Sequence, residues 1–183
     1  PPQNAQKMQK PQMVVFNGHQ ICYNTDNIMP QTGGRKGCIM KRIYITAIPL
    51  DSNFSISRYA AEPANYRPQK PVRPYYYPIT PVIADTARQG DEIKVIAVRQ
   101  KNSPHSENLE IFRRELDGLG LPCALTDLTT PENQQRDGLL ALFEALTGEM
   151  ESDACYYADA TFGTKTYPLV LSSALHYAEK ILD

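Results

Sequence analysis

The sequence predicts an α/β fold, a Rossmann-like, doubly wound and mostly parallel sheet. Three observations carry this. From residue 42 onward, apolar β-branched runs alternate with stretches of helical periodicity. The helical stretches are about three turns long, the size of a right-handed crossover between parallel strands. The strand runs are apolar throughout rather than alternating, which suits a sheet covered on both faces.

The elements follow in order. The strands are expected at Arg42–Ile48, Glu92–Val98, Cys123–Leu128 and Ala154–Ala158. The first helix runs from Ile79 to about Gln89 and stops at Gly90, a residue suited to a helix C-terminus. The second starts after Ser106, an N-cap candidate, and buries Leu109, Phe112, Leu116 and Leu119. The third carries Leu139, Leu140, Phe143 and Leu146 and ends at Gly148. The fourth starts near Thr164 and carries Leu171, Leu175, Ala178 and Leu182. Open parallel sheets of this type carry five or six strands, so the architecture reads as cut short at its C-terminus.

Residues 1–39 read as an accessory or non-native extension, and 40–183 as the folded domain. The first dozen residues are mostly Pro, Gln, Asn and Lys, a composition that cannot offset its own ordering entropy. Met13 to Tyr23 places two short apolar runs around Asn17-Gly18, a strong hairpin signal. Thr32 to Gly37 reads as linker, and the extension is expected to stay out of the main sheet. A Pro/Tyr-rich insertion follows the first strand of the domain. Six prolines between Ala61 and Pro81 (Pro63, Pro68, Pro71, Pro74, Pro78 and Pro81) interleave with Arg67, Arg73 and Tyr75-Tyr76-Tyr77. It is either extended surface chain or a lid that offers arginines to phosphates and tyrosines to bases.

Composition bounds the function. With 42% hydrophobic and 21% charged residues in 183, the chain can bury a core. A net charge of −1 offers no basic face for duplex DNA or an anionic membrane. No apolar run approaches the roughly 20 residues of a membrane span, and a cytoplasmic location is expected. Cys22, Cys38, Cys123 and Cys155 are widely spaced without a CxxC pair, so reduced thiols are expected rather than disulfides or zinc. No metal site and no cofactor are expected, and no Ser-His-Asp grouping or Walker sequence is present. His105 stands where an acid or base could reach a ligand, yet it also fits a surface residue beside a helix cap. His19 lies in the extension and His176 within the last helix. Asp127 and Asp159, at or near strand ends, suit helix-start capping equally well.

The chemistry concentrates in Asp159-Ala160-Thr161-Phe162-Gly163-Thr164-Lys165. A strand that delivers a glycine, hydroxyls, free N–H groups and a lysine onto a helix start suits a phosphate-bearing ligand. A plain strand–helix connection remains the alternative. At this point the chain resembles the CARF domains, the CRISPR-associated Rossmann folds that sense cyclic oligoadenylates. The likeness rests on Ile48-Pro49-Leu50-Asp51-Ser52-Asn53, on the Pro78–Pro81 helix entry and, most of all, on the Gly-Thr-Lys turn. It covers about residues 40–183. Many members carry Gly-Gly-Thr-Lys where this chain has Phe162 in place of the first glycine.

The resemblance implies a homodimer that faces two Gly-Thr-Lys turns across a two-fold axis, matching a symmetric cyclic ligand. It implies that Lys165 pairs with a phosphate, that Thr161, Gly163 and Thr164 bond phosphate or ribose oxygens, and that Ser52 and Asn53 contact the ring. Lys165 as a solvated lysine and Ser52 and Asn53 as turn formers are the structural readings of the same residues. Two activities are compatible: a sensor that regulates an effector, and a metal-independent ring nuclease using a ribose 2′-hydroxyl as nucleophile. The catalytic residues of the latter are unassigned. A generic nucleotide-binding α/β domain is the third reading. The GxGxxG fingerprint is absent after the first strand, which argues against dinucleotides.

Overall fold

The computed structural model describes residues 39–51, 74–101, 105, 107–132 and 134–182, together with the backbone pairing of 13–17 and 20–22. In chain order the elements are β1 (Met13–Asn17), β2 (Gln20–Cys22), β3 (Lys41–Ala47), α1 (Ile79–Thr86), β4 (Glu92–Gln100), α2 (Glu107–Asp117), β5 (Cys123–Thr130), α3 (Arg136–Gly148), β6 (Ala154–Asp159) and α4 (Tyr167–Ile181). They build one sheet of order β2-β1-β6-β3-β4-β5. Strands β3 to β6 pair in parallel, as expected for a Rossmann-like α/β fold. From β3 the chain steps outward to β4 and β5, then crosses back to lay β6 on the other side of β3. The boundary between β3 and β6 is therefore the point where strand order reverses, where such sheets open a crevice at their carboxyl ends.

Successive side chains of β3 point to opposite faces, and both faces are buried. Ile43, Ile45 and Ala47 face α3 and α4, joining Leu142, Leu146, Leu171 and Leu175 in one core. Tyr44 and Ile48 face α1 and α2, with Ile79, Ile83, Phe112 and Leu116. Each such aliphatic or aromatic side chain contributes about 1.5–3 kcal/mol on burial, which explains why these strands show no polar alternation. No helix among the described residues is long and apolar enough to cross a membrane.

Three expectations are corrected. The first concerns the extension, because β1 pairs antiparallel with β6 over five positions, from Met13↔Asp159 to Asn17↔Cys155. The hairpin itself is present, with β1 against β2 and Asn17 opposite Gln20. Without β1, β6 would be an open edge whose unpaired N–H and C=O groups invite a further strand. The β-branched Val14-Val15 run supplies one.

The second correction is that α1 ends at Thr86, with Ala87 already extended at ψ 144°. Asp91 accepts the Arg88 N–H at 3.0 Å and Arg88 Nη1 donates to the Asp85 carbonyl at 2.6 Å. These bonds turn the chain early and leave Gly90, at φ +97°, to the turn before β4. The third is the apolar stripe of α3, which runs through Gly138, Leu142 and Leu146. Leu140 lies on the far side of the helix and is 46% exposed.

Candidate functional site

The β6–α4 connection is organised from below by Asp159. This side chain is fully buried, and its Oδ1 accepts both the Thr161 N–H (2.9 Å) and the Thr161 hydroxyl (2.6 Å). Its Oδ2 accepts the Thr46 hydroxyl at 3.0 Å. Burial pushes the carboxyl pKa up, against the lowering effect of these hydrogen bonds. Asp159 thus locks the loop to the end of β3, and the hydroxyl of Thr161 is committed to that lock. Phe162 comes next. It packs against both cores and meets Tyr77 edge-on at 6.0 Å between centroids, so it forms an apolar plug just before the turn.

Gly163 then turns the chain at φ +101°, a conformation that L side chains rarely adopt. A Cβ here would sit 3.1 Å from Ala47 Cβ and 3.2 Å from the Tyr167 ring. The turn therefore lies in contact with the carboxyl end of β3, at the point of strand reversal. Tyr167 is buried behind it. Its hydroxyl has no hydrogen-bond partner among the described residues, and burial, reinforced by Asp159, raises its pKa well above the ordinary value.

Beyond the turn, the start of the helix differs from expectation. The helix was expected to begin near Thr164, but it begins at Tyr167, with Thr166 as N-cap and Pro168 in its first turn. The Tyr167 N–H bonds the Thr164 carbonyl, the Leu169 and Val170 N–H groups bond the Thr166 carbonyl, and Pro168 has none to offer. The N–H groups left for an anion are therefore those of the turn itself. The backbone N–H groups of Gly163, Thr164 and Lys165 have no acceptor among the described residues. Open N–H groups of this kind are able to bond an anion or water, and the N-terminus of α4 follows them in the chain. The Lys165 side chain is exposed and makes no ion pair among the described residues.

The turn forms one wall of an open cleft at the carboxyl edge of the sheet. Its floor is apolar, from Ala47, Ile48, Leu50, Val98 and Leu142. The opposite wall comes from the ends of β4 and β5 and the start of α3, with Arg99, Gln100, Thr130 and Gln134. Arg99 is held by a two-pronged bond to Asp127, Nε–Oδ1 at 2.7 Å and Nη2–Oδ2 at 2.8 Å, which raises the guanidinium pKa further. Asp127 is thus an ion-pair partner rather than a helix cap. The two walls meet through a chain of side chains. Thr164 Oγ1 lies 3.1 Å from Thr166 Oγ1, which donates to Gln134 Oε1 at 3.1 Å.

The other sequence candidates separate. Gly163 and Thr164 line the cleft, and Lys165 lies between Thr164 and Thr166 on the same turn. Thr161 does not line it and serves the loop. Ser52 and Asn53 lie outside the described residues, as does most of the Pro/Tyr-rich tract. The chain leading into them is anchored nonetheless, because the buried Asn108 amide donates to the carbonyls of Pro49 (2.9 Å) and Asp51 (3.2 Å). His105 pairs with Glu107 at 3.1 Å and its carbonyl accepts the Asn108 N–H, a role at the start of α2. His176 bonds the Ser172 carbonyl within α4. Cys123 and Cys155 are free thiols, and no group of three or more metal-ligating side chains occurs among the described residues.

Sequence reasoning missed Thr130, Gln134 and Thr166. The polar run from Thr129 to Gln135 between a strand and a helix was the available signal, because every parallel strand delivers its following loop to this same edge. In comparisons with known proteins, the chain matches no family model and no curated protein.

Proposed function

We propose that this chain carries a CARF-type sensor that binds a cyclic oligoadenylate at the carboxyl edge of its sheet and regulates an effector in type III CRISPR defence. The observation that carries the reading is Gly163. Its positive φ and its contact with Ala47 and Tyr167 hold three unclaimed backbone N–H groups at the strand-reversal crevice, with Lys165 beside them. That is the equipment of a phosphate site, and the apolar floor next to it suits the rest of a nucleotide. Lys165 supplies a point charge for the phosphate. A homodimer would present two such turns to one symmetric ring.

The test is a titration with cyclic tri-, tetra- and hexa-adenylate, followed by light scattering and analysis of the recovered ligand. The reading expects saturable binding of one ring size by a dimer, with the ring returned intact. Recovery of linear products carrying 2′,3′-cyclic phosphate ends would assign a ring nuclease instead. Failure to bind any of the three rings would remove the proposal.

A further inference from the structure

Tyr77, just ahead of α1, is fully buried and is held on several sides. Its backbone N–H donates to Glu115 of α2 at 3.3 Å, and its ring lies 4.4 Å from that of Phe112 on the same helix. Its hydroxyl donates to the Asn108 carbonyl at 2.7 Å, in the first turn of α2. Asn108 is itself buried, and its side-chain amide spends both hydrogens on the loop after β3, at the carbonyls of Pro49 and Asp51. Leu50, between them, lines the cleft. The Tyr77 ring also makes a T-shaped contact with Phe162, the residue that leads into Gly163. A buried hydroxyl that leaves its acceptor goes unsatisfied, so the Asn108 bond fixes where this ring stands. Both loops of the candidate site thus rest on one side chain.

We infer that Tyr77 is a positioning residue that sets the loop after β3 and the β6–α4 turn relative to one another, the first through Asn108 and the second through Phe162. The assignment rests on reading the two loops as parts of one site, and it is independent of which anion or nucleotide that site takes. Tyr77 belongs to the tract whose tyrosines were expected either on the surface or stacked on bases. Buried against Phe112 and Phe162, it is closed to a ligand, so its effect on binding passes through the loops. Asn108, a polar residue in the core, serves the same purpose: its amide ties α2 to the loop that carries Leu50.

The experiment perturbs one loop and reads the other in the full chain. Phe162→Leu keeps an apolar plug and removes the ring that Tyr77 meets, while amide NMR follows Leu50 and Asp51. Tyr77→Phe keeps the ring and removes only the bond to Asn108. Phe162→Leu alone is expected to shift the Leu50 and Asp51 amides, and the same change added to Tyr77→Phe should move them markedly less. In titrations with cyclic tetra-adenylate, Tyr77→Phe should lower affinity about two- to thirtyfold, the range of coupling through residues that touch no ligand. Asp91→Ala, which weakens the opposite edge of the sheet, is the control for lost stability and should change neither these amides nor the affinity of the folded protein. Leu50 and Asp51 amides that ignore Phe162→Leu, or that respond equally with and without the Tyr77 hydroxyl, would overturn the assignment. Unchanged affinity in Tyr77→Phe would do the same. If wild type does not bind cyclic tetra-adenylate, the amide comparison alone decides the role of Tyr77, and only the cyclic-ligand reading is lost.

Discussion

The two edges of one sheet differ in how completely their polar groups are paired. At the amino edge of the parallel strands, Arg42 Nε meets Asp91 Oδ2 at 2.5 Å and its Nη1 donates to the Tyr157 hydroxyl at 3.0 Å. Lys94 bridges Glu149 and Glu151, both at 3.0 Å, and Lys41 adds a second cation to Glu151 at 3.2 Å. At the carboxyl edge the turn amides of Gly163, Thr164 and Lys165 and the Tyr167 hydroxyl lack partners among the described residues. A chain that pairs its charges so thoroughly at one end is able to pair them. The turn donors at the other end are left open on exposed or half-exposed residues, where solvent or a ligand can reach them. The difference supports the proposal that places the ligand at the carboxyl edge.

Substitutions can break or sharpen that contrast. The largest loss of stability is expected from Asp91→Ala at the paired edge. It strands the largely buried Arg42 guanidinium and also removes the acceptor for the Met40 and Arg88 N–H groups. Removing one partner of a buried pair costs about 3–5 kcal/mol. Urea unfolding should show a drop of this order, while ligand affinity of the remaining folded protein stays as in wild type. Next comes Gly163→Ala at the open edge. The added methyl meets Ala47 and the Tyr167 ring on a backbone that disfavours it, so a loss of about 1–3 kcal/mol is expected. Affinity should fall together with stability, which Asp91→Ala should not do.

How far this contrast was legible in the sequence depended on range. The four parallel strands were readable because their apolar runs are local signals, and so was the Gly-Thr-Lys turn. The pairing of β1 with β6 was not, because it depends on the open edge that β6 would otherwise present, a property of the sheet and not of residues 13–17. The partnership of Gln134 with Thr166 spans 32 positions and leaves no periodic trace. The start of α4 was misplaced because Gly-Thr-Lys resembles a helix entry, whereas the Tyr167-to-Thr164 bond and Pro168 set the start three residues later. Phe162 as a plug between two cores was hidden for the same reason, since its partner Tyr77 lies far away in sequence.

A smaller effect lies away from both edges, where Glu115 accepts the N–H groups of Tyr76 (2.9 Å) and Tyr77 (3.3 Å). Burial raises its carboxyl pKa from the ordinary 4.5 to about 7, outweighing these hydrogen bonds. The folded chain therefore keeps a proton that the unfolded chain releases between those values. Its contribution to stability is greatest below pH 4.5 and declines as pH rises to about 7. Thermal unfolding across that window should show the decline, and Glu115→Gln should flatten it. A wild-type profile that rises through the window would contradict this assignment.

The smallest effect on stability, and the most direct test of the open edge, belongs to Lys165→Ala. An exposed lysine beside the positive end of a helix adds nothing to the fold, so the unfolding midpoint should stay where it is. Titration with cyclic tetra-adenylate should nevertheless show affinity lowered roughly ten- to a hundredfold, the scale of a charged hydrogen bond. The salt dependence of binding should also be shallower than in wild type. Unchanged affinity together with a lowered unfolding midpoint would make Lys165 part of the scaffold and contradict the assignment of the Gly163–Lys165 turn as the ligand site.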